Sequence, residues 1–256
     1  MKKGLFKWIV SSLIISVLSV SGNCYGQAVA KTKNIILVHG AFVDGSGWLE
    51  VYHILARQGY RVAITQHPMT SFQADVAAVT RLIDQQDGPC VLVGHSYGGA
   101  IITTAGNNPK VAGLVYIAAH APDVGETEAD NGKAYPPAYK SLIKGSDGLD
   151  YIDPGMFSID FAPGVSNEIA GFMAVSQPAI ADQAFHAVIQ TPSWKTKPVW
   201  YMVAKSDRII NPDLERMYAK RANSIKTVEV DGAGHCIYMT HPKEAAALIV
   251  LATQGK

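Results

Sequence analysis

Charge is scarce in this chain. Asp, Glu, Lys and Arg make up 17% of its 256 residues, the formal net charge is +1, and no basic run or stripe occurs. Nucleic acid needs a concentrated cationic face, so no nucleic-acid partner is expected. Cysteine is scarcer still, at Cys24, Cys90 and Cys236. Neither these nor the eight histidines show the close pairs of a metal site, and no metal or cofactor is expected. Cys90 opens one apparent strand and Cys236 follows another, so a parallel sheet holds them at opposite ends. Five strand residues span about 16 Å, whereas bridged Cα atoms lie within about 7 Å, and no disulfide is expected. The chain also lacks a membrane-length apolar run: the stretch from Trp8 to Val20 is shorter than the roughly 20 residues of a span. Apolar residues are otherwise plentiful, at 48%, which provides for a large core and argues against disorder.

The first 30 residues read as a secretory signal peptide and short linker. Lys2, Lys3 and Lys7 precede the apolar stretch, and small and polar residues follow it. Cleavage fits after Gly26 or after Ala30, the second completing an Ala-Val-Ala site. A lipid anchor at Cys24 is not expected, because "SGN" is a poor context for acylation. Removal of the three lysines leaves 19 basic against 21 acidic residues, a mildly acidic protein exported to the periplasm or beyond, with no membrane span.

From residue 34 onward the pattern alternates. "NIILVH", "YRVAIT", "CVLVG", "VAGLVYIAA", "PVWYMVA" and "TVEV" are apolar, β-branched strand runs. Between them lie helical patterns: 48–59, closed by Gly59, 72–88 with Phe72, Val76, Val79 and Ile83 on one face, "AIITTAGN", 212–222, and a final "PKEAAALIVLAT". Continuously apolar strands alternating with helices predict an α/β fold, a mostly parallel sheet covered on both faces. Residues 120–193 break the rhythm and carry much of the Pro, Gly and Asp, with short helical pieces such as "PAIADQAFHAVIQ". They read as a lid inserted between the fourth and fifth core strands, leaving 31–119 and 194–256 as the core.

Gly94-His95-Ser96-Tyr97-Gly98 stands between a strand and a helix. A turn that sharp lifts the serine hydroxyl above the sheet, and side chains at the flanking positions would collide with strand or helix. A serine hydroxyl attacks only if a base takes its proton. His235, in the glycine-bearing loop after the last strand, is the candidate base; His241, in an "HP" helix start, is its rival. The base needs an acid to hold its tautomer. Asp207 follows the fifth core strand and fills that place, against Asp123, which reads as a turn cap, and Asp231, which reads as a solvated loop residue. The developing oxyanion calls for preorganised donors: the N–H of Tyr97 at the head of a helix and that of Ala41 in "HGAFVDGSGW", with Phe42 as the alternative. His39 reads as a loop brace. Phe42, Phe157, Phe161, Phe172, Met173, Phe185 and Trp194 are candidate liners of an apolar substrate pocket.

With these residues the chain resembles the α/β-hydrolase-fold proteins, most closely the small serine esterases related to plant methyl-ester esterases and hydroxynitrile lyases. The resemblance runs from about Asn34 to the C-terminus and rests on "LVHGAF", "LVGHSYGG", "VYIAAHAPDVGE", "YMVAKSDRIINP" and "GAGH". It implies a serine hydrolase that cleaves small carboxylic esters through an acyl-enzyme, and the lack of a net charge run in the lid points to an uncharged substrate. The usual first two strands of the fold are missing here, which implies a six-stranded sheet. Dehalogenases and epoxide hydrolases of this fold carry an aspartate where Ser96 stands. Hydroxynitrile lyases typically carry a threonine and a lysine where Gly40 and Cys236 stand, which favours ester hydrolysis. Cys236 is then either a packing residue or a second thiol near the site. Cofactor-free haloperoxidases share the triad, and lactone or amide hydrolysis would use the same machinery. Signalling relatives keep it in ligand-binding, receptor-like proteins with little turnover.

Overall fold

The computed structural model describes Met1 and residues 32–256; the expected signal segment lies outside the described residues. The apolar runs form strands β1 (Asn34–Val38), β2 (Arg61–Ile64), β3 (Cys90–Ser96) and β4 (Val111–Ala119). After a long intervening segment holding β5 (Leu142–Lys144), β6 (Leu149–Ile152) and β7 (Ile180–Ala181) come β8 (Val199–Ala204) and β9 (Lys226–Val230). The main sheet has six strands in the order β2-β1-β3-β4-β8-β9, and every pairing in it is parallel. The α/β-hydrolase architecture expected from the sequence is the one observed.

Helices are α1 (Leu49–Arg57), α2 (Phe72–Asp84) and α3 (Tyr97–Ala105); α4 (Glu128–Ala134), α5 (Phe157–Asp160) and α6 (Asn167–Ser176); then α7 (Pro212–Arg221), α8 (Ile237–Thr240) and α9 (Pro242–Gln254). Successive strand side chains point to opposite faces, so each strand feeds two cores. Ile35, Leu37, Val91, Val93, Val115 and Ile117 pack with Val51 and Leu55 of α1 and Leu248 and Ile249 of α9. Ile36, Val38, Leu92, Leu114 and Tyr116 pack with Phe72, Val79 and Ile83 of α2, Ile101 of α3 and Leu214 of α7. Burial on both faces is why these strands carry no polar alternation. Local chemistry sets the helix ends: Ser71 accepts from the Ala74 N–H at 3.2 Å, Asn211 caps α7 ahead of Pro212, and Gly255 leaves α9 at φ 70°.

Between β4 and β8, β5, β6 and β7 form a separate antiparallel sheet, and the same stretch of chain carries α4, α5 and α6. The helix expected over 178–190 is not formed. Ile180 and Ala181 pair with β6, the Ala181 N–H donates to the Met69 carbonyl at 2.9 Å, and only a 3-10 turn, Asp182–His186, follows. Backbone partners distant in sequence outcompete local helical bonds there. Among the described residues no helix is long and apolar enough to cross a membrane.

Chain order reverses beside β1, which has β2 on one side and β3 on the other. Ligands of open parallel sheets bind at the carboxyl ends of strands next to such a reversal. Ser96 is the last residue of β3.

Candidate active site

Ser96 has φ 53° and ψ −126°, a strained conformation for a residue with a Cβ, of a kind that costs on the order of 1–3 kcal/mol. Its neighbours force the turn. A Cβ on Gly94 would stand 2.6 Å from the Gly98 carbonyl oxygen, and one on Gly98 would stand 2.5 Å from that of His39 and 2.7 Å from that of Val38. A Cβ on Gly99 would run into the His120 carbonyl. These glycines let β3, the first turn of α3 and the ends of β1 and β4 converge on one point. Ser96 sits there, 5% exposed, and lines a cleft.

The loops after β8 and β9 meet beside it. His235 Nδ1 lies 2.6 Å from Asp207 Oδ2, and both side chains are fully buried. The other Asp207 oxygen accepts from the N–H groups of Ile209 at 2.7 Å and Ile210 at 3.0 Å. The carboxylate therefore faces three donors in a dry environment, which fixes its orientation. His95, the residue before Ser96, has its Nε2 3.0 Å from the His235 carbonyl, and the two rings lie 4.6 Å apart. His235 is thereby held against the turn that carries Ser96. Its Nε2 has no hydrogen-bond partner among the described residues, the Ser96 hydroxyl included. Such nucleophile–base bonds commonly tighten only when substrate arrives.

The competing residues lie elsewhere. Asp123 pairs with Lys195 at 2.5 Å and accepts from the Val124 N–H. Asp231 is exposed and paired with Lys205, while His241 stands just before α9 without a side-chain cap bond, its Nδ1 2.9 Å from the Thr240 hydroxyl. Cys90 and Cys236 are buried free thiols at opposite ends of the sheet, and burial raises both pKa values, that of Cys90 to about 12. Cys236 is fully buried in the core, as a packing residue is.

The loop after β1 closes on Ser96. A Cβ on Gly40 would stand 2.7 Å from that of Ser96, and Ala41 and Phe42 line the cleft beside it. Phe42 is itself at φ 64°. The Tyr97 N–H heads α3, where no helical acceptor precedes it. The Tyr97 hydroxyl donates to Asp75 at 2.6 Å, and Asp75 also accepts from the Met69 N–H at 2.8 Å.

The cleft holds about 370 Å³. Of the seven candidate liners it takes Phe42 and Phe185. Phe161 is buried with its ring edge-on to His235 at 5.0 Å, so it packs against that imidazole and lines no cleft. Phe157 stacks behind it at 4.8 Å as core. Trp194 is turned away: its indole N–H donates to the Pro122 carbonyl at 3.0 Å and Arg221 lies over its ring. Phe172 and Met173 line a second cleft of about 550 Å³, which shares Phe42 but does not include Ser96. Aromatic content alone could not separate these cases, because side-chain direction depends on the segment's own fold.

Several site residues had no sequence assignment. His120 follows β4, and its N–H donates to the Ser96 carbonyl at 3.1 Å. Glu128 of α4 lies opposite, with Oε2 3.5 Å from His120 Nε2. His120 was detectable by its place at a strand's carboxyl end; Glu128 carried no signal. His39 stacks on His67, with centroids 3.6 Å apart, and burial lowers them to about 4 and about 2. Both are neutral braces of the loop after β1. Glu215, fully buried on α7, accepts from the Ala204 N–H at 3.1 Å, and burial followed by the Asp207 charge raises its pKa.

The model of the alpha/beta hydrolase family matches residues 35–248. A carbendazim hydrolyzing esterase of Nocardioides sp. (strain SG-4G) is 33% identical over 127 residues, 44% of this chain and 52% of that protein. A pyrethroid hydrolase of Sphingobium wenxiniae is 34% identical over 99 residues, 34% of this chain and 35% of that protein. The chain thus matches about half and about a third of the lengths of these relatives. Among solved structures, polyneuridine aldehyde esterase superposes with a TM-score of 0.73 at 16% identity, over 86% of this chain and 98% of that one.

Proposed function

We propose that this chain, which belongs to the alpha/beta hydrolase family, is a serine hydrolase of small, uncharged carboxylic esters. The observation that carries this reading is the buried 2.6 Å contact between His235 Nδ1 and Asp207, which leaves Nε2 as the ring nitrogen of His235 free to exchange a proton. Two partially matching relatives named as an esterase and a hydrolase support it.

In this mechanism His235 Nε2 takes the Ser96 proton as Oγ attacks the ester carbonyl carbon. Asp207 accepts from Nδ1–H and stabilises the imidazolium. The oxyanion is held by the N–H groups of Tyr97 and Ala41, each donor contributing about 3 kcal/mol to lowering the barrier. The tetrahedral intermediate collapses, Nε2–H protonates the departing alkoxide, and a water activated by Nε2 then releases the acid from Ser96. The segment 120–193 acts as the lid: Phe161 and Pro163 cover the base loop, and Phe185 walls the cleft. No step needs a metal or cofactor. The basic and apolar start of the sequence supports export.

The test is a series of p-nitrophenyl esters of rising acyl length, with Ser96→Ala as control. A short-chain optimum that disappears in the variant is expected from a cleft of about 370 Å³. Activity retained by Ser96→Ala would remove the nucleophile.

A further inference from the structure

The cleft walls are mostly apolar, with Phe42, Phe185, Leu142, Ile210 and Leu214 among them. Lys133, Lys144, Asp150, Asp182, His186 and Asn211 also line the cleft, with Lys144 paired to Asp150 and Asp182. His120 and Glu128 stand apart from these, because Glu128 has no Lys or Arg partner among the described residues and the catalytic chemistry above uses neither. His120 is tied to the nucleophile by the 3.1 Å bond from its N–H to the Ser96 carbonyl. Both side chains line the cleft that Ser96 opens into. Glu128 is 7% exposed, no cation accompanies it among the described residues, and its Oε1 has no hydrogen-bond partner among them.

The polarity of the group can be traced from its far end. Asn131 donates to the Tyr218 hydroxyl at 2.9 Å, which turns that hydroxyl's own hydrogen toward His120 Nδ1, 3.4 Å away. An imidazole that accepts at Nδ1 carries its hydrogen on Nε2. Nε2 faces Glu128 Oε2 at 3.5 Å, too long for a strong bond. Burial raises the Glu128 carboxyl, which favours its protonated form, and burial with the nearby His235 lowers His120 to about 3, so the imidazole is uncharged near neutral pH. The pair therefore offers an imidazole N–H and a carboxyl O–H on the cleft wall.

We propose that His120 and Glu128 form a hydrogen-bonding subsite for a second, uncharged oxygen acceptor of the substrate, a carbonyl, ether or hydroxyl oxygen a few bonds from the scissile carbonyl. The placement of that oxygen relative to the reacting carbonyl rests on the serine-esterase reading; the subsite itself rests on the cleft. A buried donor left without an acceptor discriminates against ligands that cannot satisfy it. All-carbon acyl chains leave it unsatisfied; alkoxy, oxo or hydroxy acyl groups do not.

The test uses p-nitrophenyl methoxyacetate and p-nitrophenyl butanoate, which differ by one oxygen in place of a methylene, with rates normalised to their alkaline hydrolysis. The wild type is expected to prefer methoxyacetate by about tenfold in kcat/KM. Glu128→Leu should bring the ratio near one, whereas Glu128→Gln, which keeps a donor, should retain most of it. Binding of ethyl methoxyacetate and ethyl butanoate to Ser96→Ala protein, followed by ligand-observed NMR, should show the same preference without turnover. Equal binding of the two ethyl esters, or a preference unchanged by Glu128→Leu, overturns the subsite. Absence of Ser96-dependent hydrolysis of either nitrophenyl ester overturns the esterase reading instead, and the binding comparison then decides the subsite alone.

Discussion

The Tyr97 hydroxyl donates to the buried carboxylate of Asp75 at 2.6 Å, joining the first residue of α3 to the first turn of α2. This bond anchors the side chain of the residue whose backbone N–H is proposed to face the oxyanion. Tyr97→Phe leaves Asp75 in a dry site with only the Met69 N–H for a partner. Removing one partner from a buried polar group costs about 1–3 kcal/mol. Urea unfolding should show that loss, and kcat should fall with little change in KM. Equal stability of the wild type and Tyr97→Phe would show that the bond contributes nothing.

Asp207→Asn keeps the shape of the acid but presents an amide to His235 Nδ1, so the ring is held in the wrong tautomer. The kcat for a short nitrophenyl ester should fall about 10⁴-fold at nearly constant KM. A drop of less than tenfold would argue that another carboxylate orients His235.

Gly98→Ala places a methyl group 2.5 Å from the His39 carbonyl and 2.7 Å from that of Val38, both backbone atoms that cannot step aside. Soluble folded protein should be lost, or the turn at Ser96 deformed and activity abolished. Gly59→Ala is the control: φ is +81°, but nothing lies within 4 Å of the new methyl. Its cost should be about 1–2 kcal/mol of stability, with activity intact. Circular dichroism melts and ester turnover distinguish the two.

His39 and His67 are neutral in the fold and take up protons only near pH 4 and pH 2, against 6.5 in the unfolded chain. Between those limits the unfolded state binds more protons. Their contribution is therefore complete above about pH 6.5 and is lost as pH falls. At pH 5 each should have removed about 2 kcal/mol. His67→Phe keeps a ring against His39 but cannot protonate. Its loss of stability between pH 7.5 and pH 5, measured in urea, should be about 2 kcal/mol smaller than that of the wild type.

Mass spectrometry of protein recovered from outside the cytoplasm should give a chain beginning at Gln27 or Lys31. An intact Met1 in that fraction would mean that the segment is not a cleaved signal.

The sequence by itself determined the parallel sheet and the sharp turn at Ser96. Both are local matters: continuous apolar runs demand burial on both faces, and Gly94 and Gly98 record which Cβ positions the turn excludes. It also marked the strand ends where Asp207 and His235 stand, because alternation of strand and helix assigns each loop to one rim. Only the tertiary structure decided which aromatic rings reach the cleft. Phe185 does and Trp194 does not, although only nine residues separate them. Only the tertiary structure set His120 against Glu128, stacked His39 on His67 and hung Tyr97 from Asp75, pairs that no sequence period relates. Periodicity tells which face of an element is buried. Which side chain lies opposite depends on how the loops and the inserted segment pack, and that is set by contacts across the whole chain.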